Sequence, residues 1–322
     1  VNFDRSADIA VPGPGEPTLE SLRTPLRRLI IATRLPFLTI TVVGCLLGLA
    51  VAQQQGAALS PLLATITVLL AVLAHAAVNV LNDWADHLNG TDAANTERIF
   101  PFTGGSRFIQ NGVMSAAAVR RYALALFAFT IGGGLALVSV VGAELLWFGV
   151  AGLALGWAYS APPLALNSRG LGEFCVAACF LMLVPGSDFV QRGAHDLTPW
   201  LAGIPFALMT TNILYINQFP DRTADIAAGK LHWVARLDRR TATLGYALML
   251  ALAASSLLAS IVVGALPLWS ALGFIGFAPA IPAARSLIMS GGAVVGLAPA
   301  IKQTILAAHL VALLTALGLL LA

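Results

Sequence analysis

Two short stretches of this chain gather the residues that could do chemistry. The first reads Asn82-Asp83-Trp84-Ala85-Asp86-His87-Leu88-Asn89-Gly90-Thr91-Asp92. The second reads Asn217-Gln218-Phe219-Pro220-Asp221-Arg222-Thr223-Ala224-Asp225, followed by Ala228-Gly229-Lys230. Asp83/Asp86 and Asp221/Asp225 stand three and four residues apart, so on a helical turn both carboxylates of each pair share one face. Like charges so placed repel unless a cation lies between them. Carboxylate and amide oxygens are hard ligands suited to Mg2+, which keeps several waters and completes its shell with one or two carboxylates and substrate phosphates. Two such clusters facing each other would hold a diphosphate between metal ions. A lone acid at the end of a helix is ordinarily just solvated. Two Asn/Asp clusters, each with basic residues downstream, point instead to a site. His87 suits Mg2+ poorly and is expected to face solvent or pack beside the acids. His75 is expected to hydrogen-bond a neighbouring helix. His195, His232 and His309 carry no readable signal.

The elements that position these clusters are membrane spans. Of 322 residues, 58% are apolar and 10% charged, where soluble domains average roughly a quarter charged. Eighteen basic and fifteen acidic residues are too few to solvate a globule of this size. That excludes a soluble enzyme, a nucleic-acid binder and a disordered chain. A span needs about 20 mostly apolar residues, and nine stretches qualify, near 35–53, 61–81, 122–142, 145–166, 170–187, 199–219, 241–263, 267–284 and 298–322. The expected fold is therefore an all-α, polytopic bundle of nine transmembrane helices. Residues 1–21, polar and rich in Pro and Gly, are expected to be a disordered cytoplasmic tail, and 22–322 one membrane-embedded domain. Within the latter, 22–34 reads as a basic amphipathic helix on the membrane surface. The cysteines, Cys45, Cys175 and Cys179, read as small core residues, and Gly132–Gly134 as a close helix-packing site.

Orientation follows from the basic residues. With the N-terminus inside and nine spans, sixteen of the eighteen Lys and Arg fall on the cytoplasmic side, as the positive-inside rule requires. The C-terminus is then outside. Both acidic clusters, in the connections 82–120 and 220–240, then face the cytoplasm. The expected location is the inner (cell) membrane. A transporter would place ionisable groups at the bilayer midplane; here they gather at one face.

At these residues the chain resembles the UbiA superfamily of intramembrane prenyltransferases. Paired Asp motifs follow the second and sixth of nine helices, as in that family. Asn82 and Asp86 fit its first motif, while position 90 is Gly and the third acid is Asp92. The Gly-x-Asp ending is similar to the dihydroxynaphthoate (menaquinone) branch. So are Pro101-Phe102-Thr103-Gly104-Gly105-Ser106, Tyr159-Ser160-Ala161-Pro162-Pro163 with Gly170-Leu171-Gly172-Glu173, and Gly186 through Gly193, where Asp188 and Phe189 depart from the pattern.

The resemblance implies Mg2+-dependent transfer of a prenyl group from a polyprenyl diphosphate to an aromatic acceptor, 1,4-dihydroxy-2-naphthoate foremost. Within the superfamily the alternatives are 4-hydroxybenzoate, a tetrapyrrole, a glyceryl phosphate lipid, or cyclisation of the prenyl chain. It implies Asn82, Asp83, Asp86, Asp92, Asp221 and Asp225 as metal ligands, with Asp86 and Asp225 central to catalysis. Lys230 and Arg107 would contact the diphosphate, and Asn217 would bind substrate. Tyr159 would pack on the cation or acceptor, and Glu173 would serve the acceptor or pair with Arg169.

Overall fold

The computed structural model describes residues 11–322, and its regular elements are helical throughout. They are α1 (Pro25–Ala32), α2 (Leu35–Gln54), α3 (Pro61–Asn89), α4 (Thr91–Ala94), α5 (Ala116–Val141), α6 (Leu145–Ser160), α7 (Gly172–Arg192), α8 (Thr198–Ala227), α9 (Trp233–Arg236), α10 (Arg239–Val262), α11 (Ala280–Met289) and α12 (Ala298–Leu320). Short 3-10 stretches cover Leu166–Arg169 and Leu268–Phe277. Among the described residues, eight segments are long and apolar enough to cross a bilayer, and α6 is a shorter apolar ninth. The nine expected spans are thus all present in an integral membrane protein.

The second and sixth spans are longer than their hydropathy predicts. α3 runs on to Asn89, where Gly90 at φ 84 takes the left-handed cap that glycine adopts without strain. α8 passes through Pro205 and Pro220 to Ala227. Proline is tolerated inside membrane helices because neighbouring groups satisfy the freed carbonyls. Asp83, Asp86, Asp221 and Asp225 therefore stand on helix ends, not in the loops the polarity suggests. The eighth span also differs from a plain helix. It starts as 3-10 over Leu268–Phe277 and continues as α11. There the chain runs hard against α12: a Cβ on Gly276 would lie 2.6 Å from the Leu310 carbonyl carbon.

Two packed groups flank the centre. Leu47, Val51, Phe206, Met209, Leu257 and Val311 join α2, α8, α10 and α12 in one core. Ala77, Leu81, Ala123 and Phe127 join α3 to α5 in another. At the acidic end, Arg34 pairs with Asp83 (3.4 Å) and Gln218 donates to Glu173 (3.0 Å). At the opposite end Arg192 bridges Asp188 and Asp196, and Gln55 donates to Asp196 (3.2 Å). Asp188, a departure from the family pattern, thus has a local use as a fully buried anchor for Arg192.

Residues 1–10 of the expected tail lie outside the described residues. Residues 11–21 are not disordered: Glu16 is buried, and Leu22 packs with Ala32, Phe108 and Val113. Composition predicts disorder there, but a buried ion pair overrides it, because Glu16 meets Arg98 at 2.6 Å. Among Gly132–Gly134 only Gly133 packs closely, against Leu70, while Gly134 faces open space.

Candidate active site

A cavity of about 710 Å3 opens between the two packed groups, within the size range of small-molecule sites. Its walls come from α2, α3, α5, α6, α7 and α8. Its body is apolar, with Phe37, Leu135, Leu153, Phe180 and Ile213 among the lining, and it reaches Ser187 and Val190 towards the far end of α7. Cys45 and Cys175 are buried and Cys179 is partly buried, and the last two also line this space. The polar groups concentrate at the acidic end: Asn82, Asp86, Asp92, Asn95, Asn217, Asp221, Asp225 and Lys230.

The helix ends bring the two clusters face to face. Lys230 Nζ lies 3.0 Å from Asp86 Oδ2 and 3.6 Å from Asp225 Oδ1, so one ammonium spans both clusters. Burial works against its charge, but Asp225 and Asp86 outweigh burial and hold the Lys230 pKa well above the usual lysine value. Asn82 sits one turn before Asp86 and donates to its Oδ2 (3.0 Å). Asn95 donates across to Asp221 Oδ1 (2.5 Å), closing the first connection over the second cluster.

Asp92 is held differently. Burial, then the charges of Asp86 and Asp83, raises its pKa well above the usual carboxylate range. Gly105 makes its room: at φ 75, a Cβ there would stand 2.6 Å from Asp92 Oδ2. Asp83 points away from the cavity, pairing with Arg34 and accepting from the Ser106 backbone N–H (3.1 Å). It anchors the 103–106 turn beneath the site.

Other expected residues part from their sequence reading. Arg107 is buried under the loop, where its guanidinium donates to the Asp92 carbonyl instead of facing the cavity. Glu173 does not pair with Arg169, which donates to the Pro163 carbonyl (2.8 Å). The Glu173 carboxylate accepts from Gln218 and from the Trp233 backbone N–H (3.3 Å), behind the cavity wall. Tyr159 and Asn217 do line the cavity. His75 bonds Thr41 Oγ1 (2.7 Å) and also faces it, and His87 is half-buried.

Sequence reading missed three contributors. Arg34 and Asn95 sit in stretches with no motif of their own. His232 has a recoverable signal, standing two residues after Lys230. Its Nδ1 accepts from the Ala235 N–H (3.1 Å), so the proton is on Nε2, which donates to Asp225 Oδ2 (2.9 Å). The imidazole thereby fixes the Asp225 carboxylate.

The donor set fits a hard cation. Asp92 Oδ2, Asn95 Oδ1, Asn217 Oδ1 and Asp225 Oδ1 are buried oxygens without a hydrogen-bond partner, and such groups are costly to leave unsatisfied. All are oxygen ligands of the kind Mg2+ takes. Among the described residues, no three His, Cys, Asp or Glu side chains converge on a single point. An ion here would complete its shell with amides, water and ligand phosphates, as Mg2+ commonly does.

Comparison with known proteins follows the same outline. Residues 41–290 match the model of the UbiA prenyltransferase family. Over 218 residues the chain is 29% identical to UbiA prenyltransferase domain-containing protein 1 of Dictyostelium discoideum, covering 66% of this chain but only 64% of that protein's length. It is 31% identical over 215 residues to the 1,4-dihydroxy-2-naphthoate octaprenyltransferase of Escherichia coli, covering 64% of this chain and 67% of that one. A solved structure of a UbiA homologue from Archaeoglobus fulgidus, bound to DMAPP and Mg2+, superposes with a TM-score of 0.57 at 13% identity, covering 91% of this chain and 99% of that one.

Proposed function

The chain belongs to the UbiA prenyltransferase family, and on that premise we propose that it transfers a prenyl group from a polyprenyl diphosphate to 1,4-dihydroxy-2-naphthoate within the membrane, with Mg2+ as cofactor. The observation that carries the reading is a single cavity with two Asn/Asp clusters and a lysine at one end and an apolar body beyond them. That shape suits a molecule with one charged head and a long hydrocarbon tail. The acceptor is suggested by the naphthoate octaprenyltransferases among the relatives. The one-sided gathering of charge favours an enzyme working from the cytoplasmic face over a transporter.

Asn82, Asp86, Asp92, Asp221 and Asp225 would hold the metal, with Asn217 completing the second cluster. Bound Mg2+ supplies Lewis-acid stabilisation to the leaving diphosphate. Lys230 leaves its bridge between Asp86 and Asp225 for the diphosphate oxygens. The allylic C–O bond breaks with its electron pair going to the diphosphate. The apolar walls keep water from the allylic cation, and the Tyr159 ring stabilises it from its face. The electron-rich ring carbon that bears the acceptor's carboxylate then attacks, and that carbon loses the carboxylate as CO2, the bonding pair returning to the ring to restore aromaticity.

The test incubates the purified protein with Mg2+, prenyl diphosphates of graded length and a panel of acceptors, read by mass spectrometry. Prenylated, decarboxylated naphthoate is the expected product. Preference for 4-hydroxybenzoate would move the chain to another branch of the family. No prenyl transfer to any acceptor would overturn the reading.

A further inference from the structure

The N-terminal segment lies before the residues that match the family model, yet it is built into the loop that carries Asp92 and Asn95. Glu16 is buried on the outer side of that loop and does not line the cavity. Its Oε1 accepts from Arg98 Nε at 2.6 Å. Its Oε2 accepts from Asn111 Nδ2 at 3.1 Å and lies 3.8 Å from Arg107 Nε. The Asn111 amide also donates to the Pro17 carbonyl (3.1 Å). The two arginines then reach inward. Arg98 donates to the Asn95 carbonyl at 2.7 Å, and Asn95 in turn donates to Asp221. Arg107 donates to the Asp92 carbonyl.

We propose that Glu16 is a positioning residue: a carboxylate clip on the tail that sets two arginines, through which it fixes Asp92 and Asn95 over the diphosphate end of the cavity. The chemistry is one-sided. Arg98 and Arg107 are both cations in a largely buried pocket, and each holds a backbone carbonyl of the loop. Without an anion between them they repel, and the cheapest relief is for one to swing to solvent and release its carbonyl. Glu16 removes that incentive for both. Its own charge is secure: burial works to raise its pKa, but hydrogen bonds from Arg98 and Asn111 overcome burial and hold it below the ordinary value. Leu22 seats the following residues of the strap against Phe108 and Val113, which keeps the clip in register with the loop.

The inference rests on the proposed reaction for its effect on turnover, and on loop order for a reading independent of it. In the full chain, Glu16→Gln is compared with Glu20→Gln, a change at an exposed neighbour. The expected result is a rise in KM for the prenyl diphosphate of about tenfold, with kcat falling less, and faster amide hydrogen exchange confined to residues 91–111. Glu20→Gln should match the parent in both. A purely structural role would lower the yield of folded protein and leave KM unchanged. Combined with Arg98→Gln, Glu16→Gln should add little, since both remove one linkage. Unchanged KM and unchanged exchange in Glu16→Gln overturn the clip and leave the reaction standing. If the parent transfers no prenyl group, the reaction fails and exchange alone decides: faster exchange at 91–111 upholds the clip, and unchanged exchange overturns it. Should Glu16→Gln fail to accumulate, Arg98→Lys keeps the charge but cannot hold Glu16 and Asn95 together, and is read by the same two measurements.

Discussion

Replacing Lys230 by Met keeps an unbranched side chain of similar volume and removes the ammonium that spans the two clusters. At an effective dielectric of about 20, unit charges 3 to 4 Å apart attract by roughly 5 kcal/mol before desolvation is counted, and Lys230 makes two such contacts, at 3.0 and 3.6 Å. Deleting one partner of a buried pair leaves the other uncompensated, a loss of about 3–5 kcal/mol. Without Mg2+, the variant should therefore melt several degrees below the parent. Mg2+ supplied at about a hundred times its dissociation constant contributes about 2.7 kcal/mol to a site that binds it. It should stabilise the variant more than the parent, because it no longer competes with the ammonium for Asp86 and Asp225. Transfer, by contrast, should stay about a hundredfold or more below the parent at saturating Mg2+, the loss seen when one charge-stabilising donor is removed from a site. The assay is thermal unfolding in detergent across a Mg2+ titration, beside initial rates. Equal melting of the two proteins without Mg2+, or an equal Mg2+ shift in both, would refute the bridging role.

Asp86→Ala and Asp225→Ala should each lower prenyl transfer about a thousandfold while the protein still inserts and folds, since each removes a ligand from a different cluster; more than a tenth of parental activity in either sinks the two-cluster site. His232→Phe keeps a ring but not the donor to Asp225 Oδ2, and should reduce Mg2+ affinity about 10- to 100-fold, measured by metal titration. Gly152 lines the cavity with open space where a Cβ would stand. Gly152→Leu should shift preference towards shorter prenyl diphosphates, read by competition among chain lengths. The stability difference between the parent and Glu16→Gln should depend on pH with a defined sign. Because the folded pKa of Glu16 lies below its ordinary value of 4.5, the contribution is complete above that value and disappears as the pH falls through the lowered one. Thermal unfolding of both proteins from neutral pH to about pH 3 reads it.

Hydropathy finds the nine spans because each must present an apolar surface to lipid, and that requirement is written locally in the chain. It misplaces the ends of α3 and α8 because the last turns of both helices leave the apolar zone while remaining helical. Asn82 and Asp86 then pair one turn apart on a helix that polarity alone would have ended. Asn82, Asp86, Asn217, Asp221 and Asp225, which line one end of the cavity, are legible as a set because Asn and Asp recur at helical spacing. Arg107 is misread because a cation beside acidic motifs looks the same in sequence whether it faces the cavity or the back of the loop. Only the fold shows it bound to the Asp92 carbonyl. The tail is misread for a related reason. Its Pro and Gly content argues for disorder, and nothing local in the sequence says that Glu16 meets two arginines more than eighty residues away.

The site is divided between two kinds of support. Asn82, Asp86, Asp221 and Asp225 ride on the ends of α3 and α8, helices packed along their length against their neighbours. Asp92, Asn95, Lys230 and His232 belong to the connections beyond those helix ends. The acidic end accordingly has polar groups carried by packed helices and polar groups carried by connections that are tied to them, as Asn95 is to Asp221 and Lys230 to Asp86. The spacing of the helix-borne carboxylates is kept by the bundle, whatever the connections do. The same division separates two evolutionary freedoms: the connections can change their sequence without disturbing the pair of rods that sets the spacing of the carboxylates.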